Sequence, residues 1–414
     1  MRELRRHGET AGAEPAAQVL DAELCRRLFG SLHRNGQRVK AEQYVRGLLS
    51  VPGRKTLRSI ATRFEGASAQ QSVHHFITTS PWEWTPVRHA LARQAQRALA
   101  PEAWVIGSTL IPKAGPHSVG ADPQPTPLGT VNGQCAVGTW LASERTAVPV
   151  DWQLRLSARW TAEPLRRRAG VPADAAPGTL EECVRQAVSG LPDLPELPET
   201  AGLPVVVDVK EADGTAIARH LATTGLRFVV RVGPSAPVRI DRSALPKYGD
   251  LQRTAGELAD SLPQLRRRVE PGDGPTTAVA VPVVASPAGR DAMTLVGEWG
   301  PGRGADRRLW LTSLTTADLA AALRLTRLPD VVERDFAEIS DDVGLRDFAG
   351  RSFPGWHRHI TLASVAHLIA AVGRLETGRR SGRKPGGRSG GRSSGRSAGQ
   401  SGVRSGGRSN GDSE

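Results

Sequence analysis

The chain has 414 residues, which is enough for two or three domains that each bury a hydrophobic core. Its 55 Lys and Arg residues exceed its 42 Asp and Glu residues, so the net charge of +13 indicates a polyanionic partner. Three widely separated cysteines, none in a CxxC pair, exclude a disulfide framework and a zinc ribbon. Because the sequence also lacks an apolar signal segment and an 18-residue apolar run, it predicts a cytoplasmic protein that does not enter a membrane.

The N-terminal part of the chain has the pattern of a helical domain. Residues 1–18 are predicted to be a flexible lead-in, and apolar residues at helical spacing begin at residue 19. Helical patterns recur up to residue 100, with Thr56 and Thr85 as N-caps and Pro86 in a first turn. The sequence therefore predicts an all-helical domain over residues 19–100.

Two of these helical segments, 56–64 and 69–77, are joined by a short turn. As a helix-turn-helix they would set polar side chains of the second segment against base edges of DNA. Contacts within a helical bundle explain the same spacing, so both interpretations stay open. The candidate DNA-binding residues are Arg54, Lys55, Gln70, Gln71 and His74.

After Pro101 the pattern changes to short Val/Ile/Trp runs broken by Gly and Pro, which is typical of strands and hairpins. A strand, helix and strand then follow, with PVVVD at 204–208 and LRFVVRV at 226–232. This order predicts a mixed α/β core over residues 101–375. Strand-like segments at about 235–311 predict a β-rich insertion in this core, before a helix-rich end.

The last segment, residues 376–414, is a Gly/Arg/Ser repeat without apolar spacing that could support a core. From Gly378 onward it carries eight Arg and one Lys against two acids, a net charge of +7. The tail is predicted to be disordered and to add affinity for nucleic acid.

Two carboxylates have positions that suit chemistry. Asp208 ends the apolar strand PVVVD, where a carboxylate can face a crevice of an α/β sheet, although capping of a turn or helix also explains a single Asp there. Glu333 borders an apolar stripe at helical spacing and is the acid of its segment best placed to point inward. By contrast, the strand WVIGSTLIPK at 104–113 carries no acid where a catalytic group is usually delivered.

Three further signals are weak. His357-Arg358-His359 has no third ligand nearby and predicts a polar turn before a helix. Gly302-Arg303-Gly304 lacks the strand-to-helix context of a phosphate loop, and Ser108 lacks a nucleophile elbow.

Several segments in order resemble DDE-type transposases of bacterial insertion sequences. They are PKAGPHSVG after the first strand, AVPVDW, RRRAGVP, and the run from Val331 through GLRDFAGRSFPGWHRHITLASVAH. The resemblance spans about residues 20–372. It implies an α/β fold with an RNase H-like mixed-sheet core, in which two Asp and one Glu bind two divalent cations, Mg²⁺ or Mn²⁺, for phosphodiester displacement.

Carried over residue by residue, the resemblance assigns the second Asp to Asp208 and the Glu to Glu333. The first Asp falls on Gly107 and its acidic neighbour on Ser108, so the catalytic triad is degenerate. The remaining departures are Glu211-Ala212-Asp213 for Tyr-Gly-Asp, Pro329 for Arg and Ser340 for Lys. Because Mg²⁺ requires near-octahedral oxygen ligation, a site without its first carboxylate is expected to bind the ions poorly.

Three functions stay open. The first is a DNA-binding transposase-family protein that is impaired in catalysis and needs no metal. The second is an active transposase that uses Mg²⁺ or Mn²⁺ with a substitute third acid, for which Asp122 and Asp213 are the nearest candidates in sequence. The third is a domesticated DNA-binding regulator. DNA is the partner in each, a homodimer is compatible with each, and no membrane is expected.

Overall fold

The computed structural model describes residues 20–63, 69–191, 194, 202–248, 252–272, 274–284, 292–300 and 307–382. The predicted lead-in and most of the predicted basic tail lie outside the described residues. Contacts divide the chain into one compact unit that ends at Leu375 and a second that begins at Glu376, of which the described part is the end of a long helix.

The helices before the sheet bury one face each. They are α1 (Ala22–Phe29), α2 (Asn35–Ser50), α3 (Leu57–Ala61), α4 (Ala69–Thr78) and α5 (Thr85–Leu99). Thr56 accepts a hydrogen bond from the Ser59 N–H at 3.0 Å and caps α3, as its residue type predicts. Pro86 lies in the first turn of α5, where its missing N–H costs no hydrogen bond. The prediction of Thr85 as an N-cap is wrong, because the helix already includes Thr85 and its N-cap position is Trp84.

The described strands form one mixed sheet. Its order is β2-β3-β1-β5-β6-β12-β11-β10-β7-β8, with β4 paired to β3 and β9 to β10. The first six strands are β1 (Ala103–Pro112), β2 (Ala121–Thr126), β3 (Gly129–Ala142), β4 (Ala147–Leu154), β5 (Val205–Asp208) and β6 (Phe228–Val232). The other six are β7 (Pro237–Ile240), β8 (Gln252–Thr254), β9 (Arg267–Val269), β10 (Thr276–Val284), β11 (Ala292–Trp299) and β12 (Arg307–Thr312).

The strand order confirms the predicted fold class. Strands β1, β3 and β4 are antiparallel neighbours, whereas β1, β5 and β6 are parallel, so the sheet is mixed as predicted. The parallel strand β5 is a continuous apolar run because both of its faces are covered. Strand β12 pairs antiparallel with β6, so the predicted β-rich insertion extends the central sheet.

Helices cover the sheet. Between and after the strands lie α6 (Ala158–Thr161), α7 (Leu165–Ala169), α8 (Leu180–Ser189), α9 (Gly214–Ala222), α10 (Ala255–Ser261), α11 (Leu319–Leu325), α12 (Leu328–Asp335) and α13 (Phe353–Gly382). A π-helical turn at Phe336–Ser340 follows α12 directly. The stretch Phe353–Thr377 of α13 is long and apolar enough to cross a membrane, and 61% of its most apolar window is buried inside this fold.

The prediction of a polar turn at His357-Arg358-His359 is wrong, because these residues lie buried within α13. Arg358 donates to the Trp82 and Ile77 carbonyls, and His359 contacts the Tyr44 hydroxyl at 2.8 Å. Residues distant in sequence thus supply hydrogen bonds to the Arg358 and His359 side chains, and these bonds offset the cost of burying polar groups.

The N-terminal helices and the sheet share one hydrophobic core. Arg88 of α5 is buried and donates to Asp151 Oδ1 at 2.6 Å, to the Trp152 carbonyl and to Thr361 of α13. This hydrogen-bond cluster joins a helix before the sheet to a strand and to a helix after it. The predicted domain boundary at residue 100 remains a prediction.

Candidate active-site cleft

A cleft of about 280 Å³ lies where β1 and β5 meet α12. Its lining includes Gly107, Asp208 and Glu333, which are the three positions that the transposase resemblance assigns to the catalytic acids. Residues from two strands and one helix thus come together although up to 226 positions separate them in the sequence (333 − 107). We call this space the acid-lined cleft.

Gly107 and Asp208 are partners in the parallel pairing of β1 with β5. Side chains at paired positions of neighbouring strands point to the same face of the sheet. A Cβ added to Gly107 would have one described atom within 4 Å, the carbonyl oxygen of Asp208 at 3.7 Å. The backbone therefore leaves room for a side chain that the sequence does not supply.

Asp208 is largely buried, with 14% of its side chain exposed. Burial raises the pKa of its carboxyl, and the nearby Arg231 guanidinium acts in the opposite direction. One Arg231 nitrogen lies 3.8 Å from Asp208 Oδ2, and the same guanidinium lies over the Trp310 ring at 5.1 Å. Asp208 Oδ1 is buried and has no hydrogen-bond partner among the described residues.

Glu333 is exposed at the cleft, on the rim that α12 forms. Among the described residues its carboxylate has no hydrogen bond or ion pair. Two residues later, Asp335 is buried and accepts hydrogen bonds from the Thr146 hydroxyl at 2.6 Å and the Ala147 N–H at 2.8 Å. Asp335 thus anchors α12 to the start of β4, while Glu333 remains available to a ligand.

Glu211 is a further acid in the cleft that sequence reasoning did not propose. It follows the end of β5 by three residues and accepts a hydrogen bond from Ser108 Oγ at 3.2 Å. Its place just after a strand that ends in an acid was a usable signal, because loops at this edge of a sheet converge on one crevice.

The two substitute acids proposed from the sequence do not line the cleft. Asp213 caps α9, accepting from the Thr215 N–H at 2.9 Å and the Ala216 N–H at 3.0 Å. Asp122 lies on β2 and pairs with Arg159 at 3.5 Å. Both carboxylates therefore have structural partners elsewhere.

The possible metal ligands of the acid-lined cleft do not fit the two-ion centre that the resemblance implies. No cluster of three His, Cys, Asp or Glu side chains close enough to hold a metal occurs in the described part of the chain. Arg231 and Lys210 place positive charge beside Asp208, which opposes cation binding. The orphaned Asp208 Oδ1 is a single donor atom, whereas two bridged ions require several shared carboxylates.

Of the two other departures from the family pattern, Pro329 lines the acid-lined cleft and Ser340 does not. Pro329 lines the cleft in the first turn of α12. Ser340 is buried in the π-helical turn, where its Oγ lies 2.9 Å from His367 Nδ1, and it does not line the cleft.

The candidate DNA-binding residues divide into two groups. Gln70, Gln71 and His74 are exposed on α4, and Arg54 is exposed before α3. Lys55 is only 6% exposed, and this burial keeps its ammonium, which donates to the Val51 carbonyl, from contact with a phosphate. The linker of the predicted helix-turn-helix, residues 65–68, lies outside the described residues, so the helix-turn-helix remains a prediction.

Comparison with known proteins gives a family match. A family model described as DDE superfamily endonuclease matches residues 27–286, more than half of the chain. The matched segment contains Gly107 and Asp208 and ends before Glu333. No curated protein matches the chain. Among solved structures, the chain is similar to a piggyBac transposase in a synaptic complex with hairpin DNA, at 11% identity and a TM-score of 0.38, over 91% of this chain and 83% of that chain.

Proposed function

Because the chain belongs to the DDE superfamily of endonucleases, we propose that it is a transposase-type DNA-binding protein impaired in metal-dependent phosphodiester transfer. One observation carries the proposal: glycine stands at position 107, in register with Asp208, where an acid of the catalytic set is expected.

Ion coordination supplies the physical argument. Two ions about 4 Å apart must share carboxylate ligands to clamp the attacking and leaving oxygens. Without a carboxylate at position 107, Asp208 is the only acid among the paired positions of β1 and β5. The Arg231 cation beside Asp208 further disfavours a second positive charge there. These features support the proposal that cleavage is inefficient, which also suits the role of a regulator.

A second candidate function rests on Glu211. An active transposase could recruit this residue as the substitute acid in place of Asp122 or Asp213, since Glu211 lines the same cleft as Asp208 and Glu333. In that case the Ser108 hydroxyl, which donates a hydrogen bond to Glu211, would orient the Glu211 carboxylate in the loop after β5.

A nicking assay on supercoiled plasmid, with Mg²⁺ or Mn²⁺, distinguishes the two candidates. The variants are Asp208→Asn and Glu211→Gln, with Asp174→Asn as a matched control at an exposed site outside the cleft. We expect the unaltered protein to bind DNA in an anisotropy titration and to produce no nicked plasmid. If it nicks and Asp208→Asn abolishes nicking, impairment is the wrong interpretation. If Glu211→Gln abolishes nicking as well, the second candidate is correct.

A further inference from the structure

A second cleft, of about 500 Å³, lies next to the acid-lined cleft, and Arg346 lines both. We call it the basic cleft. Its charged and polar lining consists of Arg54, Lys113, His117, Ser118, Arg346 and Asp347. The loop that follows β1 forms one wall and the segment before α13 forms the other.

Positive charge predominates in the basic cleft. The Arg54 guanidinium is exposed and has no partner among the described residues. The single acid in the lining, Asp347, accepts the Lys55 N–H at 2.7 Å. Burial lowers the pKa of Lys113 to about 8, with Asp347 raising it and Arg54 lowering it. Since Arg54 and Lys113 disfavour each other's charge, an anion between them would be stabilised.

Hydrogen bonds hold the walls of the basic cleft together. Lys113 Nζ donates to the Arg346 and Phe348 carbonyls, both at 2.7 Å. Asn132 Nδ2 donates to the carbonyls of Lys113 and Gly115, which fixes the loop after β1. An ammonium has three N–H donors, so Lys113 keeps one for a ligand. The cleft is therefore built before any ligand arrives, which reduces the entropic cost of binding.

Arg346 links the two clefts. It pairs with Asp341 at 3.0 Å, and its guanidinium lies over the Phe336 ring at 4.4 Å. Phe336 also lines the acid-lined cleft. A chain-like anion with repeated charges could thus contact the basic cleft and continue past Arg346, whereas a single small anion would use only part of a space of about 500 Å³.

We propose that the basic cleft binds a backbone phosphate of a DNA strand that continues past Arg346 to the acid-lined cleft. The inference rests on the proposed DNA-binding function, and it specifies where one phosphate is held. Arginine and lysine are the side chains that bind phosphate through charge-assisted hydrogen bonds. Arg54 is the main ligand, and Lys113 contributes charge and one donor.

The test measures the affinity of the full chain for a fluorescent DNA duplex at several salt concentrations. Arg54→Gln removes a cation from the cleft, and Arg58→Gln removes one from an exposed site on α3 outside it. Gly115→Glu adds a negative charge inside the cleft, and Gly36→Glu adds the same charge on α2. A Cβ at either glycine meets no atom within 4 Å, so both substitutions are sterically tolerated. Thermal melts of all four variants check that each one folds.

We expect Arg54→Gln to weaken DNA binding about three- to tenfold and Gly115→Glu to weaken it more. For a variant that loses one phosphate contact, the slope of log affinity against log salt concentration should become shallower by about 0.9. Arg58→Gln and Gly36→Glu should each change the affinity by less than about twofold. Equal weakening within each matched pair, or no weakening, would overturn the basic cleft as a phosphate site while DNA binding stands. A starting protein that does not bind DNA would overturn the proposed function together with this inference.

Discussion

Gly107 and Asp208 are paired in register across β1 and β5, and a Cβ on Gly107 would lie 3.7 Å from the Asp208 carbonyl oxygen. The backbone at position 107 therefore has room for a side chain beside Asp208, at the position where the resemblance to transposases expects an acid. An aspartate can be introduced there without a backbone clash, which makes the proposed cause of impairment directly testable.

Gly107→Asp should restore a response to divalent ions. Without metal, a second buried carboxylate beside Asp208 should lower Tm because like charges repel in a desolvated site. Mn²⁺ should recover the loss by binding the folded state, since an ion at a hundred times its Kd adds about 2.7 kcal/mol. Thermal melts with and without Mn²⁺ measure this, and a plasmid nicking assay shows whether activity returns.

Ser108→Asp is the control for this substitution. Position 107, and not 108, is in register with Asp208, and adjacent strand residues point to opposite faces. An acid at position 108 would instead lie beside Glu211, so Ser108→Asp should give a smaller Mn²⁺ response. If Gly107→Asp gains neither metal response nor nicking, then either the assignment of the first acid is incorrect or the departures at Pro329 and Ser340 suffice to silence the site.

Asp208→Asn should stabilise the protein at neutral pH. Burial raises the folded-state pKa of Asp208 above its ordinary value of 3.8, so the folded state binds more protons than the unfolded state. Ionised Asp208 therefore destabilises the fold above its raised pKa, and this effect disappears as the pH falls below 3.8. The Tm difference between variant and parent should be positive at pH 7 and shrink towards zero at about pH 3.

A lower Tm for Asp208→Asn at pH 7 would contradict this expectation, because it would mean that pairing with Arg231 outweighs burial. Asp174→Asn, at an exposed position, should show no comparable dependence of its Tm difference on pH.

Two acids near the end of α12 should differ sharply in their effect on stability. Asp335→Ala leaves the buried Thr146 hydroxyl and Ala147 N–H without their acceptor, at a cost of about 2–4 kcal/mol. Glu333→Ala removes an exposed carboxylate and should change the free energy of unfolding by less than about 0.5 kcal/mol. Urea unfolding at pH 7 measures both, and similar values would mean that Glu333 has a structural role.

The basic tail should contribute to DNA binding in a salt-dependent way. A chain ending at Thr377 lacks eight Arg and one Lys, so fewer counterions are released from the phosphates on binding. Its log Kd should therefore vary less steeply with log salt concentration. Full-length protein with the tail arginines changed to lysine should keep the original slope, because the tail keeps its charge. Full-length protein with the same arginines changed to serine should show the shallower slope of the truncated chain. An unchanged slope after truncation would remove the tail from the mechanism.

The sequence by itself determined which segments form the central strands. Apolar runs such as PVVVD become β5 because burial on both faces selects continuous β-branched residues. The capping threonine before α3 and the glycine at position 107 are likewise properties of local sequence. The resemblance to transposases then placed Asp208 and Glu333 in one site, and both line the same cleft.

Only the tertiary structure decided which side chains keep their contact with water and which share a cleft. Lys55 is buried, Asp213 is a helix cap, and Glu211 reaches the acid-lined cleft. His357-Arg358-His359 continues a helix because residues as distant as Tyr44 supply its hydrogen bonds. The physical reason is that periodicity and capping act within a few residues, whereas desolvation and hydrogen-bond partners depend on segments that meet only when the chain has folded.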